Sequence, residues 1–409
     1  MKVLWITSVY PSSQKPGEGV FHETQVQALQ MQGVDVTVIC PSPVNPAPLR
    51  LLKKKYRQVR TVPEYEERKG IPVYRPPYTA LPGQLKWAQP HRRIAKSVLR
   101  TIEKHGLAPD LIHAHFAMPS GGAAAVVSQK MKVPYVLTLH GSDVNIYPHY
   151  SKGAFRAFET AVHSAAKVLA VSDALKAKTK EMTGAESTVL PIGVNLDRFQ
   201  KPSASALELR EKFGLPKDKK LLTFVGRLVK GKGVAELAEA VRQLDDSYRA
   251  VFIGDGPEKQ HIRQTAGEKA ILTGQVGNHE ISEYLAASDL FVLPSYSEGM
   301  PTVVIEALAL KVPVLCTAVG GVPSLFGKYE HLLIKPRSVS NIIKAVKVYM
   351  EEGEWREDIA EELYQTVCKD YDASKNAKAL KEKYENLWRR EKKLNLYEKS
   401  RIKSKKSFV

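Results

Sequence analysis

Two carboxylates, Glu298 and Glu306, stand eight residues apart in the run Ser295-Tyr-Ser-Glu-Gly-Met-Pro-Thr-Val-Val-Ile-Glu-Ala-Leu-Ala-Leu310. The apolar stretch just before it, 289–294, predicts a short buried parallel strand, and Pro301 fits the first position of a helix beginning near Thr302. A helix N-terminus at a strand's end presents free N–H groups and the positive end of the helix dipole, and Gly299 lets the backbone come close. Such a corner, with the backbone of Gly299, Met300, Pro301 and Thr302, suits a diphosphate or sugar hydroxyls. Glu298 falls in the loop and Glu306 about one turn inside the helix, where carboxylates can accept hydrogen bonds from the vicinal diols of a ribose and a hexose. The spacing alone fits an ordinary capped helix with two solvated acids as well. The flanking sequence favours the site.

A second group of residues suits phosphate. Phe224-Val-Gly-Arg-Leu-Val-Lys-Gly-Lys-Gly-Val234 follows a predicted strand and precedes a helical pattern. There Gly226 permits a tight turn, Arg227 can fork onto two phosphate oxygens, and Lys232 adds a compact charge. The run is neither a Walker A loop nor a G-x-G-x-x-G fingerprint, and in isolation it also reads as a solvated basic turn. Two further turns, Gly254-Asp-Gly-Pro257 and Thr273-Gly-Gln-Val276, close the next predicted strands. Four loops on successive strand ends of one domain form a pattern that no single loop does.

The elements that must hold these loops alternate between strand-like and helix-like runs, and the alternation occurs twice, as in parallel sheets covered by helices. Strands are expected at 2–7, 35–40, 111–114, 135–139, 167–171 and 188–190, then at 221–225, 250–253, 269–273, 290–293, 314–316 and 332–334. The turn-rich stretch 193–205 reads as a linker. The expected fold is α/β, with two facing Rossmann-like doubly wound domains and a cleft between them. An N-terminal acceptor domain spans 1–195 and a C-terminal nucleotide-sugar domain 205–372. A helix over 373–390 packs back toward the first domain, and 391–409 is a basic, disordered tail.

At 409 residues, two domains are the prior. The net charge of +18 favours an anionic partner, and two segments carry the whole excess: net +11 over 50–104 and +7 over 389–406. Cys40, Cys316 and Cys368 are far apart and read as reduced thiols of a cytoplasmic protein. The N-terminus passes straight into a strand without the pattern of a signal peptide, and no apolar run has the length of a membrane span.

Taken together, V-G-R-L with its following lysine, G-D-G-P, T-G-x-V and S-x-x-E-G-M-P-x-x-x-x-E-A-L-A resemble the retaining glycosyltransferases of GT-B architecture known as the glycosyltransferase 4 family. This chain has Gly231 where that family commonly places an acid before the lysine. The resemblance implies that Arg227 and Lys232 hold the donor diphosphate, Glu306 the nucleotide ribose, and Glu298 the transferred sugar, with the base near Val276. It implies catalysis by Arg227, Lys232, Glu298 and His140 with no cofactor and no metal. On the acceptor side, the loop 8–23 resembles the family's opening glycine loop, so Gly17 and Gly19 approach the donor phosphate and acceptor, with His22 beside them. His140-Gly-Ser-Asp143 resembles the loop beside the reacting sugar, which gives His140 and Asp143 contacts to donor sugar or acceptor. His113 and His115 alone do not make a metal site, since an i, i+2 pair needs further ligands and none is suitably placed in sequence.

Gly17-Glu-Gly-Val-Phe-His-Glu-Thr-Gln-Val-Gln27 and Trp87-Ala-Gln-Pro-His-Arg-Arg93 further resemble bacterial cell-surface polysaccharide transferases, most nearly those of teichuronic acid biosynthesis. The implied partners are a nucleotide-sugar, a UDP-sugar by family habit, and a polyprenyl-diphosphate-linked saccharide acceptor. In the basic stretch 50–104, Tyr56, Tyr65, Tyr74, Tyr78, Leu81, Leu85 and Trp87 interleave with charge, which suits an anionic membrane surface on the inner face of the plasma membrane. A solvated face reads equally well there. Alternatives of other kinds are a GT-B sugar-nucleotide epimerase or hydrolase and, more remotely, a nucleic-acid-binding protein, for which no module is present. A nicotinamide dehydrogenase would need a fingerprint that is missing after the first strand.

Overall fold

A computed structural model of the chain describes residues 1–45, 62–80, 90–351, 353, 355 and 357–406, with the backbone alone from 394 onward. It divides into two compact units. The first comprises Met1–Val171, Leu175–Leu190 and Asn376–Val409, and the second Ser172–Ala174 and Pro191–Lys375.

The first unit contains β1 (Lys2–Ile6), β2 (Asp35–Ile39), β3 (Ser42–Val44), β4 (Tyr65–Arg68), β5 (Ile71–Tyr74), β6 (Pro77–Thr79), β7 (Leu111–His115), β8 (Tyr135–Leu139), β9 (Lys167–Ala170) and β10 (Thr188–Val189). Its main sheet runs β10-β9-β8-β7-β1-β2-β5-β4, parallel except for the hairpin β4/β5. Strand β1 shows why the sheet is central: Val3, Leu4, Trp5 and Ile6 are all buried, so the strand reads as one apolar run and not as an alternation. Full burial of each such side chain contributes about 1.5–3 kcal/mol.

The second unit contains β11 (Lys220–Val225), β12 (Tyr248–Ile253), β13 (Ala270–Gly274), β14 (Leu290–Leu293) and β15 (Val314–Cys316), all parallel in the order β13-β12-β11-β14-β15. In both units the chain begins mid-sheet, winds outward, then returns to wind the other way. The reversal falls between β1 and β7 in one and between β11 and β14 in the other. At such a reversal the loops leaving the strands' carboxyl ends diverge to opposite faces and leave a crevice, which is where open α/β sheets bind ligands.

Several expectations need correction. Residues 332–334 form no strand; a 3-10 turn over Gly327–Leu332 occupies the start, and only Ile334 bridges to Thr317. Pro301 is not the first helical residue but the extended N-cap of the helix Thr302–Ala309. The stretch after 390, expected as disordered, continues the helix Ala373–Lys406, which its Glu, Lys and Leu content favours. Strands β3 to β6 were not foreseen: the hairpin β4/β5 turns at Lys69 and Gly70, both at positive φ, in a segment dominated by charge. Of the residues expected to face a membrane, Tyr56, Leu81, Leu85 and Trp87 lie outside the described residues, while Tyr65 is exposed and Tyr74 and Tyr78 are half-buried. No described helix is long and apolar enough to cross a membrane.

Candidate active site

In the second unit the loops after β11 and β14 meet at the sheet's reversal. Gly226 takes a positive φ of 151° and turns the chain out of β11; Arg227, next to it, is exposed. A short 3-10 turn, Lys230–Lys232, leads to Gly233 at φ 68°, which caps the helix Val234–Gln243. A Cβ at Gly233 would lie 2.1 Å from the carbonyl oxygen of Pro294, so only glycine lets the two loops touch. Their contact is reinforced by the amide of Tyr296, which donates to the carbonyl of Gly231 at 2.9 Å. In this setting Lys232 Nζ lies 2.6 Å from Glu298 Oε1, the lysine partly exposed and the glutamate largely covered.

Beyond Glu298 the backbone is pinned from the next loop. The amide of Gly321 donates to the carbonyl of Gly299 at 2.8 Å, and a Cβ at Gly320, itself at φ 59°, would lie 2.3 Å from the carbonyl oxygen of Glu298. Met300 and Pro301 are buried and Thr302 is half-buried. Glu306, one turn into the helix, is half-buried; desolvation pushes its carboxyl up to about 7, opposed by the nearby Arg198 cation and a hydrogen bond from Thr302. Val276 is half-buried in the loop leaving β13.

Arg198 escaped the sequence reading. It sits on a 3-10 turn, Leu196–Phe199, capped by the Asn195 side chain, and its Nη2 donates to the carbonyl of Asn278 at 2.9 Å. It thus links the loop after β13 to the charge environment of Glu306. The asparagine cap followed by a cation, immediately after the turn Pro191-Ile-Gly-Val-Asn195, was the available signal.

In the first unit the reversal gathers histidines. Gly19, at φ 76°, caps the helix Val20–Met31, and a Cβ there would come within 3.0 Å of the Val9 carbonyl carbon; Gly17 is exposed with open space around it. His22 is buried, its Nε2 2.9 Å from Thr7 Oγ1. His115 ends β7, stacks on Trp5 at 3.9 Å, and its Nδ1 lies 2.9 Å from His140 Nε2. His113 is separately bound, between Tyr384 and Thr138. Burial holds all four imidazoles neutral, with His140 pushed down to about 3. Asp143 spends its carboxylate on three backbone amides: Oδ1 accepts from His140 at 3.0 Å and Gly141 at 2.8 Å, and Oδ2 from Ala117 at 2.8 Å. Burial raises its pKa against those bonds. The carboxylate therefore fastens the loop after β8 to the one after β7.

Residues 17–198 match the sequence pattern of Glycosyltransferase Family 4, and residues 205–366 match that of Glycosyl transferases group 1. The chain is 62% identical over 387 residues, 95% of its length and 99% of the relative's, to a Bacillus subtilis protein provisionally named teichuronic acid biosynthesis glycosyltransferase TuaC. An uncharacterized glycosyltransferase of Methanocaldococcus jannaschii is 28% identical over 320 residues, 76% of this chain and 85% of that one. Among solved structures, sucrose-phosphate synthase from Thermosynechococcus elongatus superposes with a TM-score of 0.78 at 19% identity, covering 95% of this chain and 99% of that one. Anabaena HepE in complex with UDP-glucose does so at 0.70 and 20%, covering 94% and 100%. At these identities the likeness is one of fold, the GT-B fold.

Proposed function

We propose, on the premise that the chain belongs to the glycosyltransferase 4 family of retaining GT-B enzymes, that it moves a sugar from a UDP-sugar to a polyprenyl-diphosphate-linked saccharide in the assembly of teichuronic acid or a related surface polysaccharide. Membership makes it a glycosyltransferase with a nucleotide-sugar donor; the base, the lipid-linked acceptor and a station at the inner face of the plasma membrane are the proposal. The observation that carries the reading is the ion pair of Lys232 and Glu298 at the sheet reversal of the second unit. It puts a cation for phosphate and a carboxylate for hydroxyls within one hydrogen bond of each other, the separation of diphosphate and sugar in such a donor. The basic excess of the chain supports the anionic surface.

In this reading the bond from the sugar's anomeric carbon to the β-phosphate oxygen breaks, and its electron pair stays on the leaving diphosphate. Arg227 and Lys232 face the charge that grows there, so they stabilise the transition state more than the ground state. The acceptor hydroxyl forms the new bond from the same face, and its proton passes to the departing phosphate oxygen. Glu298 and the backbone of Gly299 to Thr302 hold the sugar, and Glu306 holds the ribose, with the base near Val276. Neutral His140 donates to or accepts from sugar hydroxyls without adding charge, and Asp143 acts by positioning its loop. Gly17, Gly19 and His22 line the acceptor side. The hydrolase scheme of two flanking carboxylates does not apply, because both glutamates are assigned to hydroxyls.

Transfer of radiolabelled sugar from a UDP-sugar into solvent-extractable lipid, with membranes carrying polyprenyl-linked saccharide as acceptor, tests the proposal. Label that appears only as free sugar would replace it with a hydrolase.

A further inference from the structure

We propose that His22, His115 and His140 form a binding site for a single divalent cation of the zinc class. Each offers one ring nitrogen, and these atoms lie within 4.8 Å of one another. The ring centroids are 4.7 Å apart for His22 and His115, 5.1 Å for His115 and His140, and 5.4 Å for His22 and His140. Three imidazoles at Zn–N distances of about 2.0–2.1 Å around a tetrahedral centre place their ring centres about 5 Å apart. The ring centres already stand at that spacing.

Two of the three imidazoles also carry an unpartnered ring nitrogen. His22 Nδ1 and His115 Nε2 are buried without a hydrogen-bond partner among the described residues. Leaving such an atom unsatisfied is costly, and a cation would offset that cost. The Thr7 hydroxyl lies 3.1 Å from the carbonyl of Val9 and 2.9 Å from His22 Nε2, so with its proton on the Val9 carbonyl it accepts from Nε2–H of His22. That leaves a lone pair on Nδ1, and the bond to Thr7 is the outer-shell contact that usually orients a metal-bound imidazole. The stack of His115 on Trp5 fixes the second ring. Burial keeps the imidazoles unprotonated, and an all-nitrogen donor set selects zinc, cobalt, nickel or copper over magnesium and calcium. Resting on the role given to His140 above, an ion held here would withdraw that imidazole from the sugar and slow transfer. Binding is measured without either substrate, so the site and the functional reading can fail separately.

The test uses the full chain, stripped with chelator. Equilibrium dialysis against Zn2+ should find about one bound equivalent, and Co2+ should give visible tetrahedral bands that Zn2+ abolishes. His22→Gln and His115→Gln should each weaken binding by at least about tenfold, and His261→Gln, at an exposed position, should not. Absence of binding, or binding indifferent to both substitutions, overturns the proposal. Should both variants unfold, imidazole nitrogen resonances of the unaltered protein decide: zinc must shift three histidines, and a shift of fewer contradicts the site.

Discussion

Lys232 Nζ is 2.6 Å from Glu298 Oε1, although the two residues leave strands that are neighbours in the sheet and far apart in the chain. The pairing makes them one device. Lys232→Ala should lower kcat by about 10²–10³, the cost of removing one preplaced charge from a developing oxyanion. Glu298→Gln should lose a comparable factor, and the double variant should lose much less than the product of the two. Steady-state kinetics on proteins with unchanged melting temperature check this; multiplicative losses would mean that the residues act apart.

Glu306 gives a pH dependence. Burial lifts its carboxyl to about 7, and the ionised form is the better acceptor for ribose hydroxyls. Donor KM should therefore fall as pH rises through about 7, and Glu306→Gln should flatten the profile while raising KM. The folded pKa is raised above that of the unfolded chain, so this group's stabilisation is present below the unfolded value and lost as pH rises from there to about 7. The glutamine variant should show a smaller fall in melting temperature over that window.

Arg198 opposes the desolvation of Glu306. Arg198→Gln should move the midpoint of the KM profile to higher pH and leave kcat at saturating donor close to its original value. A role confined to holding the loop at Asn278 would raise KM equally at every pH.

Gly233→Ala should be costly out of proportion to its size. The position has φ 68°, and the added Cβ would meet the Pro294 carbonyl at 2.1 Å. Strain and displaced backbone together should destabilise the fold by roughly 1–3 kcal/mol and separate Lys232 from Glu298, so thermal unfolding and activity should decline together. Gly17→Ala, with nothing near the added atom, should change neither melting temperature nor expression.

The parts of the fold legible in the sequence were those governed by burial on both faces. Tyr135–Leu139, Leu290–Leu293 and Val314–Cys316 are strands with the expected limits because continuous apolar runs of that length have few other uses. The nearness of Lys232 and Glu298 was legible because turn glycines mark the loops that carry them. The hairpin β4/β5 was hidden by its charge, and Arg198 by the fact that its relation to Glu306 exists only in three dimensions. The same holds for the histidines: no spacing joins positions 22, 115 and 140, and only the reversal at β1 and β7 brings their rings together.

The most direct measurement is release of nucleoside diphosphate from a panel of UDP-, GDP- and ADP-sugars by the purified protein, with and without a polyprenyl-diphosphate-linked saccharide. The account predicts release from one UDP-sugar that depends on the acceptor and is lost in Lys232→Ala. Release at the same rate without acceptor, or from that donor by the lysine variant at full rate, would contradict it.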